Sequence, residues 1–233
     1  MDTTRAAART CGDDDVAAGR GPGQLGWYAF ARRFARGKAV LDVGCGLGDG
    51  LRLLKDVAAT ALGQDLDPRL AGPDVQIVDV ARIAARSYDV VVSIDVVEHV
   101  ADPGAFVALL ARIAREGVFL TTPNWTASRC RWPYHLREYT PREFEELLRP
   151  HGRVELYKGT PDGSAVYPVR LPAAYHAFNA LRNRGATAFA ARCVNRLLPA
   201  PCRIHSHNAA WLLLEDARHE TRDRACSIES ATR

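Results

Sequence analysis

The sequence predicts an α/β fold: a Rossmann-like, doubly wound, mostly parallel seven-stranded sheet with a helical C-terminal cap inserted before its last strand. Three observations lead there. Short β-branched runs alternate with stretches of helical period, as in strands joined by crossover helices. The run "YDVVVSID" (residues 88–95) is almost continuously apolar, which suits a strand covered on both faces. A glycine-rich turn, "GCGLGDG" (44–50), follows the first strand-like run and opens a helical one, at the kind of position where open α/β sheets bind ligands.

Each element has its own signal. Residues 1–24 are polar and Gly-rich, with acids at Asp13, Asp14 and Asp15, and are expected to be a disordered lead. "LGWYAFARRFAR" has helical apolar spacing and meets a stop at Gly37. "KAVLDVG" is the first strand and "LRLLKDVA" the helix after the glycine turn. "TALGQDLD", "VQIVDV" and "YDVVVSID" are strands two to four. "PGAFVALLARIAR" is a helix begun by Pro103, and "GVFLTTPN" a fifth strand ended by Pro123. "TPREFEELLRPHG" is a helix with Pro141 in its first turn and Gly152 beyond its end. "RVELYKG" is a sixth strand. Residues 168–204 read as two helical pieces joined near Gly185, and "NAAWLLLE" as the last strand. One domain over residues 25–216, with a frayed tail at 217–233, accounts for the pattern.

Composition narrows the class. A chain of 233 residues, 47% hydrophobic and 25% charged, can bury a sizeable core. No apolar run approaches the ~20 residues that span a bilayer, and the first residues lack the apolar centre of a secretory signal. Six cysteines (Cys11, Cys45, Cys130, Cys193, Cys202, Cys226) are scattered without a CxxC pair. That argues against a zinc ribbon or disulfide framework and for a reducing cytoplasm. The net charge of +4 is uneven: residues 168–233 carry +5 and the remainder −1. Such a basic part can attract an anionic substrate, RNA or a membrane surface, or can be a solvated arginine face.

The glycine turn carries the first chemical reading. Gly44, Gly46 and Gly48 are spaced as GxGxG, and glycines there let backbone approach a nucleoside. A dinucleotide loop needs glycine or alanine where this chain has Asp49, and a carboxylate is electrostatically wrong beside a pyrophosphate. Asp42, two residues before Gly44, suits a cationic ligand group. Asp65 lies 19 residues after Gly46, close to the ~20-residue spacing at which an acid meets ribose hydroxyls. Asp67 reads as a surface turn. Asp79 either accepts from an adenine amino group or caps the segment after it.

The second reading concerns "SIDVVEHV". If a helical turn starts after Ile94, Asp95, Glu98 and His99 share one face. With His135 of "YHLREYT" they form an oxygen and nitrogen donor set suited to Mg, Mn, Co or Zn. Alternatively His99 is a general base oriented by Glu98. A purely structural reading makes Asp95 a helix N-cap with Glu98 three residues on. His151, His176, His205, His207 and His219 are expected on the surface or in loops. "RCRWPYH" (129–135) could stack a ring or form a lid.

As an ordered set, "VLDVGCGLG", "ALGQDLDP", "QIVDV" and "YDVVVSIDVVEHVADP" resemble class I S-adenosylmethionine-dependent methyltransferases over roughly residues 25–160. "LTTPN" and "HLREYTPREFEELL" extend the resemblance to ubiquinone-type and small-molecule O-methyltransferases. It implies that the loop from Asp42 through Gly44, Cys45 and Gly46 to Gly48 holds the methionine part of the cofactor. It implies that Asp65, with Leu66 beside it, binds the ribose, that Asp79 and Val80 meet the adenine, and that Ile94 passes the cofactor. Trp27 or Tyr28 would close over the site. The DxxEH run and His135 are similar to the ExxEH…H pattern of metal-dependent small-RNA 2′-O-methyltransferases, with Asp95 standing where that pattern has Glu.

The implied function is methyl transfer to an oxygen of a small-molecule acceptor, in natural-product or quinone-like biosynthesis. S-adenosylmethionine is the implied cofactor, together with a divalent metal at Asp95, Glu98, His99 and His135. The cap at 168–204 would select the acceptor, and Arg170, Arg182, Arg184, Arg192 and Arg196 point to an acidic or phosphorylated one. The same helices could mediate a homodimer or rest on a membrane. Two alternatives stand beside this reading. An RNA 2′-O-methyltransferase lacks support from any basic stripe in the first two-thirds. A non-catalytic S-adenosylmethionine-binding protein would bind without turning over.

Overall fold

The computed structural model describes residues 22–129, 132 and 134–214. Eight strands form one sheet in the order β3-β2-β1-β4-β5-β8-β6-β7. They are β1 (Ala39–Val43), β2 (Thr60–Asp65), β3 (Val75–Ile77), β4 (Tyr88–Ile94), β5 (Ala114–Pro123), β6 (Arg153–Gly159), β7 (Val166–Pro168) and β8 (His207–Leu213). β1 to β5 pair in parallel, whereas β8 runs antiparallel between β5 and β6. From β1 the chain builds outward first to β2 and β3 and then to the other side at β4. This reversal places a crevice beyond the carboxyl ends of β1 and β4, where such sheets bind ligands.

The predicted α/β sheet is therefore present, with one strand more than expected. β7 is three residues long and pairs antiparallel with the end of β6. The Thr160 amide donates to the Ala165 carbonyl at 3.1 Å, and Gly163 adopts φ +65°. That tight turn folds back a segment too short for a periodic signal, and it includes Pro168, assigned from the sequence to the cap. The first helix also begins earlier than the boundary at residue 25. α1 spans Pro22–Ala35, so residues 22–24 belong to the fold, while 1–21 and 215–233 lie outside the described residues.

The remaining helices are α2 (Asp49–Lys55), α3 (Pro103–Ile113), α4 (Trp125–Ser128), α5 (Pro141–Leu148), α6 (Pro172–Asn183) and α7 (Gly185–Leu197). Their starts follow local chemistry. Asp102 accepts from the Ala105 amide ahead of α3, and Thr140 and Glu143 form a reciprocal capping box at α5. In β4 the alternation of the strand sends Val90 and Val92 to one face and Val91 to the other. On the first face Trp27, Tyr28 and Ala31 of α1 and Leu51 and Leu54 of α2 cover Phe119 and Ala209. Phe34 stacks on Trp211 at 4.3 Å and 6° between planes. On the second face Phe106, Val107 and Leu110 of α3 and Phe144 and Leu148 of α5 pack on Leu41, Leu120 and Leu212. The sheet is thus held rigidly from both sides, and its crevice edge is left to the loops. α6 and α7 lie between β7 and β8 in the chain, as predicted, with a join at Gly185.

Candidate active site

The glycine loop is shaped by close packing. Gly44 has φ +71°, and a Cβ there would lie 2.5 Å from Val96 Cγ2. At Gly50 a Cβ would meet the Tyr28 ring at 2.2–2.3 Å. Tyr28 in turn donates its hydroxyl to both oxygens of Asp42, at 3.2 and 2.9 Å. Both residues are fully buried. Asp42 therefore anchors the base of the loop within the protein, and its carboxylate is turned away from solvent. Trp27 and Tyr28 belong to the core, in contrast to the expected closure over the site. Their burial against Gly159 and Gly50 explains why.

Asp65 ties the loop to β2. Its Oδ2 accepts from the Gly46 amide at 3.0 Å, and its Oδ1 from the Leu66 amide at 2.7 Å. The amides of Gly44 and Cys45 both donate to the Gln64 carbonyl. Leu47 and Leu66 beside this carboxylate are each 45% exposed, an apolar surface that a nucleoside would cover. The acid, the Cβ-free backbone and the exposed leucines fit the nucleoside part of S-adenosylmethionine. Asp79 has the capping role: its Oδ1 accepts from the Ala81 amide at 2.8 Å and starts the 3-10 turn Val80–Arg82. Val80 and Ile94 are buried in the two core faces.

The DxxEH run departs from the expected helical turn. Asp95 has φ +52°, a left-handed conformation that Asp tolerates better than most residues. A 3-10 turn, Val97–His99, follows, with Val96 at the N-cap position and no side-chain cap bond. Both the shared helical face and the Asp95 capping box are thereby excluded. The Asp95 carboxylate instead accepts from the Thr121 hydroxyl at 2.6 Å and from Gln24 Nε2 at 3.1 Å, and it faces His207 Nε2 at 3.4 Å.

Glu98 and His99 turn to the other side. Glu98 is 0% exposed. Its Oε2 accepts from the Thr122 hydroxyl at 3.1 Å, while Oε1 has no partner among the described residues. Burial pushes its carboxyl well above the usual carboxylate range, and the nearby Asp95 and Glu138 charges add to this. The Glu98 backbone carbonyl accepts from the amides of Leu136 (2.8 Å) and Arg137 (3.2 Å). Those two bonds draw the segment carrying His135 over the end of β4. The rings of His99 and His135 then lie 4.8 Å apart, edge to face at 74°.

Ligand atoms of Glu98, His99 and His135 all lie within 4.8 Å of one another. The tautomers follow from the hydrogen bonds. His99 Nδ1 meets the Tyr134 carbonyl at 3.1 Å, and His135 Nδ1 meets the Glu138 carboxylate at 2.8 Å. A carbonyl or carboxylate accepts, so each Nδ1 carries a proton, and the neutral form of each ring has its lone pair at Nε2. An acceptor on the far nitrogen is the usual support for a metal-binding imidazole. The orphaned Glu98 oxygen and two such imidazoles fit a divalent cation. Asp95, expected as a fourth ligand, is not among the groups that meet here.

Sequence reasoning passed over His207 and Glu138. His207 is 8% exposed, at the start of β8 and beside Trp27. His205 is partly buried, with Nε2 on the Ala200 carbonyl, and His176 pairs with Glu145. His205 lies in a loop, as expected, whereas His176 is on α6 and His207 is buried in β8; His219 lies outside the described residues. Glu138 stands three residues after His135, a spacing that could have suggested their pairing.

A family profile described as "Methyltransferase domain" matches residues 26–158, more than half of the chain. The chain belongs to the methyltransferase domain family. Among relatives of this methyltransferase domain is a probable S-adenosylmethionine-dependent methyltransferase of Mycolicibacterium smegmatis. It is 38% identical over 143 residues, covering 54% of this chain and 55% of that protein. A ubiquinone biosynthesis O-methyltransferase of Bordetella parapertussis is 36% identical over 120 residues, 44% of this chain and 50% of that protein. The chain thus spans about half the length of the curated relatives it matches. Among solved structures, a SAM-dependent methyltransferase from Archaeoglobus fulgidus superposes with a TM-score of 0.53 at 19% identity, over 80% of this chain and 92% of that one. This last likeness is one of fold. No helix among the described residues of the methyltransferase domain is long and apolar enough to cross a membrane.

Proposed function

We propose that this methyltransferase domain transfers a methyl group from S-adenosylmethionine to an oxygen of a small-molecule acceptor, at a centre formed by Glu98, His99 and His135. The convergence of those three groups beside the carboxyl end of β4 carries the reading. The loop from Asp42 to Gly48, with Asp65 and Leu66, would hold the cofactor. When bound, that cofactor supplies an electrophilic methyl group on a sulfonium. A divalent cation at the three residues would lower the proton affinity of an acceptor hydroxyl.

The chain's own contribution is chiefly positioning. Thr122 orients Glu98, Tyr134 orients His99, and Glu138, itself bonded to Ser128, orients His135. The lone pairs at Nε2 of the two imidazoles are the atoms suited to hold a cation or to take the acceptor proton. Relatives named as ubiquinone O-methyltransferases support oxygen as the acceptor atom.

Titration calorimetry of the full chain with S-adenosylhomocysteine and, separately, with Mn²⁺ or Zn²⁺ tests both halves. S-adenosylhomocysteine is expected to bind the parent, Glu98→Gln and His135→Ala alike. Metal affinity should fall at least 10-fold in the two variants, and methylation of a catechol should stop with EDTA and return with metal. Unchanged metal affinity in both variants would remove the metal from the proposal, and failure to bind S-adenosylhomocysteine would remove the reaction.

A further inference from the structure

Where the cap meets β6 and α4, a set of cationic side chains has no carboxylate partner among the described residues. Lys158 of β6 is 4% exposed, yet it forms no ion pair among the described residues; its ammonium lies 4.6 Å from the centre of the Tyr175 ring. Tyr175, 7% exposed on α6, has its hydroxyl buried beside Asn179, Asn124 and the His205 backbone. Arg182 follows Tyr175 by seven residues, two turns along the same helix face. Its Nε is buried with no hydrogen-bond partner among the described residues. Arg129, packed over the Trp125 ring, bonds to Asn183 next door. Arg192 of α7 and Arg129 both act on Arg182 as like charges. The sequence agrees with this imbalance, because residues 168–204 contain six arginines and no Asp or Glu.

Placing a lysine out of water, and a guanidinium partly so, without an opposite charge is unfavourable. Burial correspondingly pushes the Lys158 ammonium below its usual range and does the same to Arg182. A bound anion would relieve both costs.

The location ties this cluster to the candidate centre. Lys158 pairs with Asn208, and Asn208 with Thr122. Side chains in register share a face of the sheet, and strands are about 4.8 Å apart, so Lys158 stands roughly 10 Å from Thr122. Thr122 is the residue that donates to Glu98. On the other side Ser128, which precedes Arg129, bonds to the Glu138 that holds His135.

We propose that Lys158, Tyr175 and Arg182, with Arg129 and Arg192 around them, receive a carboxylate or phosphate group of the methyl acceptor. The proposal rests on the function inferred above, because it takes the Glu98, His99 and His135 centre as the place of the acceptor hydroxyl. It makes the substrate a hydroxylated acid rather than a neutral phenol.

The test is direct binding to the full chain saturated with S-adenosylhomocysteine, using 3,4-dihydroxybenzoate, catechol and inorganic phosphate as probes. The carboxylated probe is expected to bind at least 10-fold tighter than catechol. Lys158→Met and Arg182→Gln should each abolish most of that difference, whereas Arg170→Gln at an exposed position of the same segment should not. Arg182 is only partly buried, so its variant keeps the test valid if Lys158→Met does not fold. Equal binding of the two catechols overturns the proposal. So does an equal loss on Arg170→Gln, which would mean diffuse charge. Phosphate that binds without any advantage to the acidic catechol, or a 5′-phosphorylated oligonucleotide that outcompetes it, also overturns the assignment to a small acceptor. Failure to bind S-adenosylhomocysteine would indict the functional reading instead, since the anion preference is read without turnover.

Discussion

Removing one oxygen from Tyr28 is a demanding test of how the cofactor loop is held. In Tyr28→Phe the ring keeps its volume and its contact with Gly50, so no cavity opens. What disappears is the hydroxyl that lies 3.2 and 2.9 Å from the two oxygens of Asp42, a pair buried at 0% exposure. A hydrogen bond to a charged group contributes about 1.5–3 kcal/mol. A loss of about 2 kcal/mol is expected. For a domain of this size each kcal/mol moves Tm by about 2–4 °C, which makes the shift about 4–8 °C. Urea unfolding at pH 7 should show a lower midpoint with an unchanged slope. A double-mutant cycle with Asp42→Asn should return a coupling of about 1–2 kcal/mol. S-adenosylhomocysteine affinity should fall alongside, because Asp42 stands two residues before Gly44 at the base of the loop. Stability of Tyr28→Phe within about 0.5 kcal/mol of the parent, or an additive cycle, would refute the reasoning.

Gly50→Ala should destabilise rather than stabilise. The usual helix gain of up to ~1 kcal/mol is opposed by a Cβ placed 2.2–2.3 Å from the pinned Tyr28 ring, and such overpacking costs about 1–3 kcal/mol. Chemical denaturation checks this, and a smaller penalty in a Tyr28→Leu background would identify the clash. Glu98 sets a pH slope. Its folded pKa is raised by burial and by the Asp95 and Glu138 charges, so between the unfolded value of about 4.5 and that raised value the folded chain binds more protons than the unfolded one. Its contribution to stability therefore falls as pH rises through that window. Glu98→Gln should flatten the slope in metal-free buffer, and parallel melting curves for the two proteins would contradict it.

Most of the architecture could be read from local pattern. The β-branched run at 88–95 became β4, the Pro141 to Gly152 segment became α5 and a terminal 3-10 turn, and the cap divided at Gly185. These features depend on periodicity and on residues that restrict backbone angles, both of which act within a few neighbours. β7 escaped because three residues carry no period, and its pairing depends on a turn at Gly163.

The candidate site was legible only in its parts. "SIDVVEHV" advertises two carboxylates and an imidazole, but their grouping depends on one backbone angle. With φ +52° at Asp95 the run does not continue as a helix, and Asp95 and Glu98 serve different neighbours. His135 lies 36 residues beyond His99 in the sequence, and it arrives through two backbone bonds to the Glu98 carbonyl. The partners of Asp95 came from α1, β5 and β8.

The sequence by itself determined most of the order of strands and helices, the glycine loop and the residue types available at the crevice, because these follow from short-range sterics and burial. Only the tertiary structure decided which carboxylate meets which histidine, which tyrosine holds Asp42, and where the cations of the cap lie relative to β6. Those are through-space distances of a few ångströms between residues far apart in the chain, and electrostatics and hydrogen bonding respond to distance in space.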